Sequence, residues 1–276
     1  MTTPDAASQP ERPTARRIVL LLLVGAIGGT FSGAFGVGGG IVMVPLMLWM
    51  LAFDQRRAAA TSLAAIVLSS ISGSITYLAT GHVDVVAGLL VGAGGIVGSL
   101  IGARLLKVLP VVWLRWGFIA LLVIIAVRMF LSFDVERGAD FDLTLGTMAA
   151  LVVTGVFMGI AAGLFGVGGG VLIVPIFIAL FGVSDLLAKG TSLLAMIPTS
   201  VSGTIANTRA KLLDPIDGLV IGSIAVVSSF GGALLAHVMP PALSSILFGI
   251  FVGATAIQLT LRAIRAQRPK KKPDAE

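Results

Sequence analysis

Two glycine-rich segments have the residue types and spacing best suited to binding chemistry in this chain. Residues 36–40 read GVGGG, and residues 166–170 read GVGGG again, 130 positions later. Each of the four glycines costs about 1 kcal/mol relative to alanine inside a helix, so each segment predicts a helix break. A helix that begins after such a break offers unpaired backbone N–H groups and a partial positive charge, and glycine lets a ligand approach them. We therefore predict an anion site formed by Gly36, Val37, Gly38, Gly39 and Gly40 together with Gly166, Val167, Gly168, Gly169 and Gly170.

Hydroxyl side chains follow both glycine segments at matching distances. The first set is Ser62, Ser69 and Ser72, and the second is Ser192, Thr199 and Ser202. Their spacing of i, i+7 and i+10 places each trio on one side of a helix. Such hydroxyls can donate to the oxygens of an anion, or they can bond to backbone carbonyls where transmembrane helices pack closely. Both alternatives remain open from the sequence, and Pro198 is expected to kink the second of these helices.

Other kinds of chemistry find little support. The chain has no cysteine, and its two histidines, His82 and His237, lie outside any metal-binding spacing, so we expect no metal, cofactor or catalytic residue. A nucleotide-binding loop is disfavoured because no lysine follows the glycines. Asp84 and Asp214 occupy matching positions just before apolar segments, where a helix cap is the simplest role.

The composition is that of an integral membrane protein. Hydrophobic residues make up 57% of the 276 residues, charged residues make up 12%, and the mean hydropathy is +1.05. Apolar stretches of about the 18–20 residues needed to cross a bilayer recur along nearly the whole chain. The net charge of +6 does not indicate nucleic-acid binding, because the basic residues cluster at the ends of these stretches, as orientation signals do. We therefore expect the apolar segments to lie in a lipid bilayer.

The chain contains an internal duplication. Residues 33–110 and 163–240 align without a gap and match at about 29 of 78 positions. The matches continue well beyond the glycine segments, for example at Ser72 and Ser202 and at Pro110 and Pro240. A repeat of this length indicates two structurally equivalent halves.

The distribution of basic residues differs between the two halves. The first half has Arg56, Arg57, Arg104, Lys107 and Arg115 where the second has Leu186, Leu187, Leu234, His237 and Ser245. Conversely, the loop at 81–84 lacks Lys and Arg, whereas its counterpart follows Arg209 and includes Lys211. Because basic residues favour the cytoplasmic side, this reversal predicts that the halves insert in opposite orientations.

The predicted fold is an all-α polytopic membrane protein with two inverted-topology repeats, about eight full transmembrane helices, and two short helices after the glycine turns. In each repeat, the segments before and after the glycine turn, 18–35 and 41–53 in the first, are expected to form a hairpin that enters the membrane and returns. The predicted parts are a disordered cytoplasmic tail (1–15), the first repeat (16–132), an extracytoplasmic linker (133–142), the second repeat (143–265) and a basic cytoplasmic tail (266–276). Both termini are therefore expected in the cytoplasm.

The duplicated motif G-x-F-G-V-G-G-G, followed by a proline in a chain of this size, resembles the sulfite exporter TauE/SafE family, also called the toluene sulfonate uptake permease family. The resemblance covers about residues 16–265. It implies a multi-span transporter of sulfur-containing oxyanions, with residues 36–40 and 166–170 as elements of the site.

Two hypotheses follow for function. The first is a secondary transporter of a small sulfur-containing anion, such as sulfite or a sulfonate, in the cytoplasmic membrane, working by alternating access at the paired hairpins. The second is a passive anion or small-solute channel on the same scaffold. An intramembrane enzyme is disfavoured because the sequence shows no set of residues spaced for catalysis. A homo-oligomer is compatible with either hypothesis.

Overall fold

The computed structural model describes residues 15–131, 141 and 143–267. The predicted tails and the linker fall outside this range except at their edges. The described residues form ten α-helices, which are α1 (Ala15–Phe35), α2 (Gly40–Met50), α3 (Gln55–Ala79), α4 (Val85–Val108), α5 (Val111–Leu131), α6 (Leu145–Phe165), α7 (Gly170–Phe181), α8 (Asp185–Arg209), α9 (Pro215–Val238) and α10 (Pro241–Gln267).

Within residues 15–131 and 143–267, six helical segments are long and apolar enough to cross a membrane. They are α1, α3, α4, α6, α9 and the Ala242–Leu261 part of α10. The prediction of an all-helical, multi-pass membrane protein is therefore confirmed. Helix α8 continues through Pro198 without interruption.

The predicted hairpins are formed by α1 with α2 and by α6 with α7. Helix α2 has 11 residues and α7 has 12, or about 16–18 Å each, against about 30 Å for a hydrocarbon core. A Cβ added at Gly28 would meet the Met43 side chain at 2.3 Å, and one at Gly39 would meet the Gly28 carbonyl oxygen at 2.2 Å. Helix α2 therefore folds back along the second half of α1.

The two halves of the chain are interleaved, because the first helix of each half packs along the fourth helix of the other. Helix α1 packs on α9, with Gly25, Gly29 and Gly33 against successive turns of α9. The equivalent glycines of α6, Gly155, Gly159 and Gly163, pack in the same way against α4. Small residues at every fourth position let the helix backbones approach closely, as is common between transmembrane helices.

Contacts along the helices define their directions. Helices α1, α3 and α9 run parallel to one another, and so do α4, α6 and α8. The central helices α3 and α8 run antiparallel, since Gly73 packs on Leu193 while Gly203 packs on Leu63. Outside this group, α5 packs against α10.

Side chains cap several helices at the two ends of the bundle. Asp84 accepts a hydrogen bond from Ala87 N at the start of α4, and Asp214 accepts one from Ile216 N at the start of α9. The cap role predicted for both aspartates is confirmed. Asp54, Thr144 and Ser184 cap α3, α6 and α8 in the same manner.

Candidate functional site

Both glycine segments leave the helical conformation at the same positions. Gly36, Gly38 and Gly39 have φ values of 67°, 76° and 73°, and Gly166, Gly168 and Gly169 have values of 71°, 73° and 84°. This left-handed region disfavours residues with a Cβ, which explains why glycine occurs here. The turns end where α2 and α7 begin, and among the described residues no side chain caps either amino terminus.

The two turns lie against each other although 130 residues separate them in sequence. A Cβ at Gly40 would meet the Gly166 carbonyl oxygen at 2.2 Å, and a Cβ at Gly170 would meet the Gly36 carbonyl oxygen at 2.5 Å. Every residue of both segments is buried. The structure thus brings all ten of the predicted glycine-segment residues into one buried cluster.

A serine from each half binds the glycine turn of the other half. Ser62 Oγ on α3 lies 2.6 Å from the carbonyl oxygen of Gly166, and Ser192 Oγ on α8 lies 2.5 Å from that of Gly36. Both serines are fully buried. Each hydroxyl is also within hydrogen-bond distance of a carbonyl on its own helix, at Ala59 or Lys189. The paired turns are therefore held crosswise by α3 and α8.

The remaining hydroxyls of the two trios also donate to backbone in this conformation. Ser69 donates to Ile66 O, Thr199 to Ala195 O and Ser202 to Thr199 O, each on its own helix. Ser72 reaches across to α9, where it donates to Val226 O at 2.7 Å. The Ser72 bond joins α3 to α9. An anion would have to compete with all of these carbonyls for the hydroxyl hydrogens.

Two apolar side chains fill the space between the turns. A Cβ at Gly38 or at Gly168 would meet the Met196 Cε atom at 1.9 Å or 2.3 Å, and Ile66 lies just over 3 Å from both positions. Ile66 and Met196 are equivalent in the repeat and are fully buried. The centre of the cluster, near the midpoints of α3 and α8, is therefore closed in this conformation.

Basic residues gather at the end of the bundle where α1, α3 and α9 begin. Arg17 binds both carboxylate oxygens of Asp217, at 2.8 and 2.7 Å, and Arg57 binds one of them at 2.8 Å. A cavity of about 260 Å³ opens nearby, lined among others by Asp54, Gln55 and Arg115. Arg57 and Arg115, two of the basic residues that distinguish the first half from the second, therefore lie at the same end of the bundle.

The opposite end contains a buried ion pair that the sequence analysis did not single out. Lys189 Nζ lies 2.6 Å from Asp185 Oδ2 on the same helix and 3.0 Å from Ser244 Oγ on α10. Only 3% of the Lys189 side chain is exposed. The available signal was a charged i, i+4 pair in an apolar chain, with alanine at the position of Lys189 in the first repeat.

The described residues form ten packed helices, six of them with the length and hydropathy of membrane spans, and two buried glycine turns lie at their centre. These features define a multi-pass helical membrane protein. A family model described as "Sulfite exporter TauE/SafE" matches residues 2–129 and 151–275. The chain belongs to this family.

Curated relatives agree with this assignment. A "Probable membrane transporter protein YdhB" of Bacillus subtilis is 27% identical over 226 residues, covering 80% of this chain and 91% of that protein. A "Probable membrane transporter protein" of Haemophilus influenzae is 30% identical over 198 residues, covering 67% and 72%. One of Xylella fastidiosa (strain Temecula1) is 25% identical over 258 residues, covering 91% and 97%. The family and these relatives indicate a membrane transporter, in agreement with the expectation that the chain is not an enzyme.

Proposed function

We propose that the protein is a secondary transporter of a small sulfur-containing anion, such as sulfite or a sulfonate, in the cytoplasmic membrane. The observation that carries the proposal is the pair of glycine turns in direct contact, each bonded to a serine from the other half of the chain. Helices α2 and α7 begin at this contact. The amino terminus of a helix favours anions because its backbone N–H groups are unpaired and carry partial positive charge. The family description, sulfite exporter, supports this substrate class.

The two halves are proposed to be inverted repeats that cross the membrane in opposite directions. In support, the equivalent helices α3 and α8 run antiparallel through the bundle. The basic residues of both halves also meet, since Arg57 and Lys211 line one surface depression. The proposed topology has eight full-length helices, the two short helices α2 and α7, and both termini in the cytoplasm.

The way in which the turns are held supports alternating access as the proposed mechanism. Each glycine turn accepts a hydrogen bond from one serine of the other half, so movement of α3 or α8 would shift the opposite turn. Because Ile66 and Met196 fill the centre, an anion reaches the turns only when these side chains move apart. A closed centre that must rearrange favours a carrier over an open pore.

Counterflow in proteoliposomes tests this function. Vesicles containing the purified protein and loaded with unlabelled sulfite are diluted into labelled sulfite, and transient accumulation above equilibrium is measured. A carrier accumulates label through trans-stimulated exchange. If the label enters through the protein but only equilibrates, without transient accumulation, the protein is the channel of the second hypothesis. If neither sulfite nor sulfoacetate enters in a protein-dependent way, the proposed substrate class is refuted.

Cysteine labelling tests the inverted topology. The chain has no cysteine, so a single introduced thiol gives the only signal. Thr80 and Ala210 are equivalent in the repeat and lie at the ends of α3 and α8. In intact cells, a membrane-impermeant maleimide is expected to label T80C but not A210C. Labelling of both variants from the same side would contradict inversion.

A further inference from the structure

The Asp185–Lys189 pair lies beside the glycine turn of the opposite half. A Cβ at Gly36 would meet Lys189 Cα at 2.5 Å and its Cβ and Cγ atoms at 2.7 and 2.9 Å. The Lys189 carbonyl also shares the Ser192 hydroxyl with the carbonyl of Gly36. The lysine stem is therefore packed directly against one of the two turns.

The pair has no charged equivalent in the first half. The positions matching Asp185, Lys189 and Ser244 are Gln55, Ala59 and Leu114. Ala59 and Leu114 belong to one buried apolar cluster. The two halves thus share a backbone plan but differ in charge at this position, so the duplicated fold does not itself require an ion pair there.

Burying this pair has a cost. Moving two charges out of water is unfavourable, and their mutual attraction often does no more than offset the loss of hydration. Ionisable residues inside membrane proteins accordingly mark substrate or ion pathways. An i, i+4 pair in the first turn of α8 could serve helix stability alone, yet an exposed pair would do that without the desolvation cost.

We propose that Lys189 is the cation that binds the transported anion, and that the Asp185 carboxylate occupies the anion's place in the empty transporter. This inference rests on the proposed function. A sulfite or sulfonate group offers oxygen acceptors like those of a carboxylate, so it can take over the ammonium and the Ser244 hydroxyl. Asp185 is the first residue of α8, next to the loop, so its side chain can turn toward the aqueous end when displaced.

Exchange of one anion for another explains how the site avoids an unpaired charge. Lys189 is paired with Asp185 in the empty state and with the transported anion in the loaded state. Without Asp185, release of the anion would leave a buried charge unpaired, which would strongly destabilise the protein. The exchange also couples binding to movement near Gly36, because the lysine stem touches that turn.

Binding measurements on the full-length protein in detergent test the exchange. Sodium sulfite and sulfoacetate are titrated and Kd is measured by calorimetry, with thermal stabilisation as a second reading. Asp185→Asn removes the competing charge, so we expect Kd to fall about 5-fold or more, even though the empty protein melts at a lower temperature. Lys189→Gln is expected to raise Kd at least about 10-fold, and Lys189→Arg to restore part of the affinity.

Two further variants keep the result interpretable. The double variant Asp185→Asn with Lys189→Gln leaves no charge unpaired, so its weakened binding is not a folding defect. Arg57→Gln removes a cation from the ion pair at the other end, where Arg17 still holds Asp217, and should leave Kd unchanged.

The outcomes separate the two proposals. If the wild type binds or transports neither probe, the proposed function fails and this inference with it. If the wild type binds but the double variant binds equally well, or Asp185→Asn weakens binding as much as Lys189→Gln, the exchange is refuted while the transporter stands.

Discussion

Gly40→Ala tests whether the contact between the two turns is needed for transport. Gly40 has no positive φ, so alanine brings no backbone strain, but its Cβ would lie 2.2 Å from the Gly166 carbonyl oxygen. Even a tight contact needs about 3.0 Å, so the turns must separate by roughly 1 Å. Overpacking of this kind costs about 1–3 kcal/mol. If it raises the free-energy barrier to transport by about 1.4 kcal/mol, the transport rate falls about tenfold.

The assay is initial sulfite flux into proteoliposomes, normalised to the amount of inserted protein. We expect Gly40→Ala and its repeat equivalent Gly170→Ala to reduce flux about tenfold or more. Gly81→Ala places alanine at φ 75° with open space around it, so it carries about 1–2 kcal/mol of strain without overlap. Gly231→Ala has neither problem. Flux in Gly40→Ala equal to that in Gly231→Ala would refute a functional contact between the turns.

Three further variants test the surrounding bonds by thermal unfolding in detergent. Tyr77→Phe removes the 2.8 Å bond to Gly33 O in the last turn of α1 and should cost about 1–3 kcal/mol, whereas an unchanged melting temperature would deny that this bond matters. Ser192→Ala should lower the free energy of unfolding by a similar amount, about 1–3 kcal/mol. It should also lower sulfite flux, because the Gly36 carbonyl loses its hydrogen-bond donor, and normal flux would contradict the anchoring role of Ser192. Asp217→Asn should lower the melting temperature more than Arg57→Gln does, with a difference that shrinks in high salt, because it weakens two ion pairs instead of one.

The hairpins could be predicted because their cause is local. Four glycines in five residues oppose a helix wherever they occur, and the short apolar stretch after Gly40 cannot span a bilayer. The structure has the break at the glycines and the short helix α2 after it. The helix caps at Asp84 and Asp214 are likewise local, and they were predicted from position in the sequence.

The partners of the hydroxyls could not be predicted in this way. Ser62 and Gly166 are 104 residues apart, and Ser192 and Gly36 are 156 residues apart. The periodicity placed each trio on one helix face, but it could not say whether that face meets an anion or a carbonyl. Lys189 was missed for a related reason, because its importance depends on burial and on contact with Gly36.

By itself, the sequence determined that the chain is a duplicated helical membrane protein with two broken helices, because hydropathy, repetition and glycine propensity act over short stretches of chain. The sequence also predicted that the two GVGGG segments form one site. Only the tertiary structure decided that each turn packs on the carbonyl of the other, that α3 and α8 hold the turns crosswise, and that a buried lysine packs against one of them. These contacts join residues more than a hundred positions apart, and they depend on how whole helices pack against one another, which a pattern within one stretch of chain does not specify.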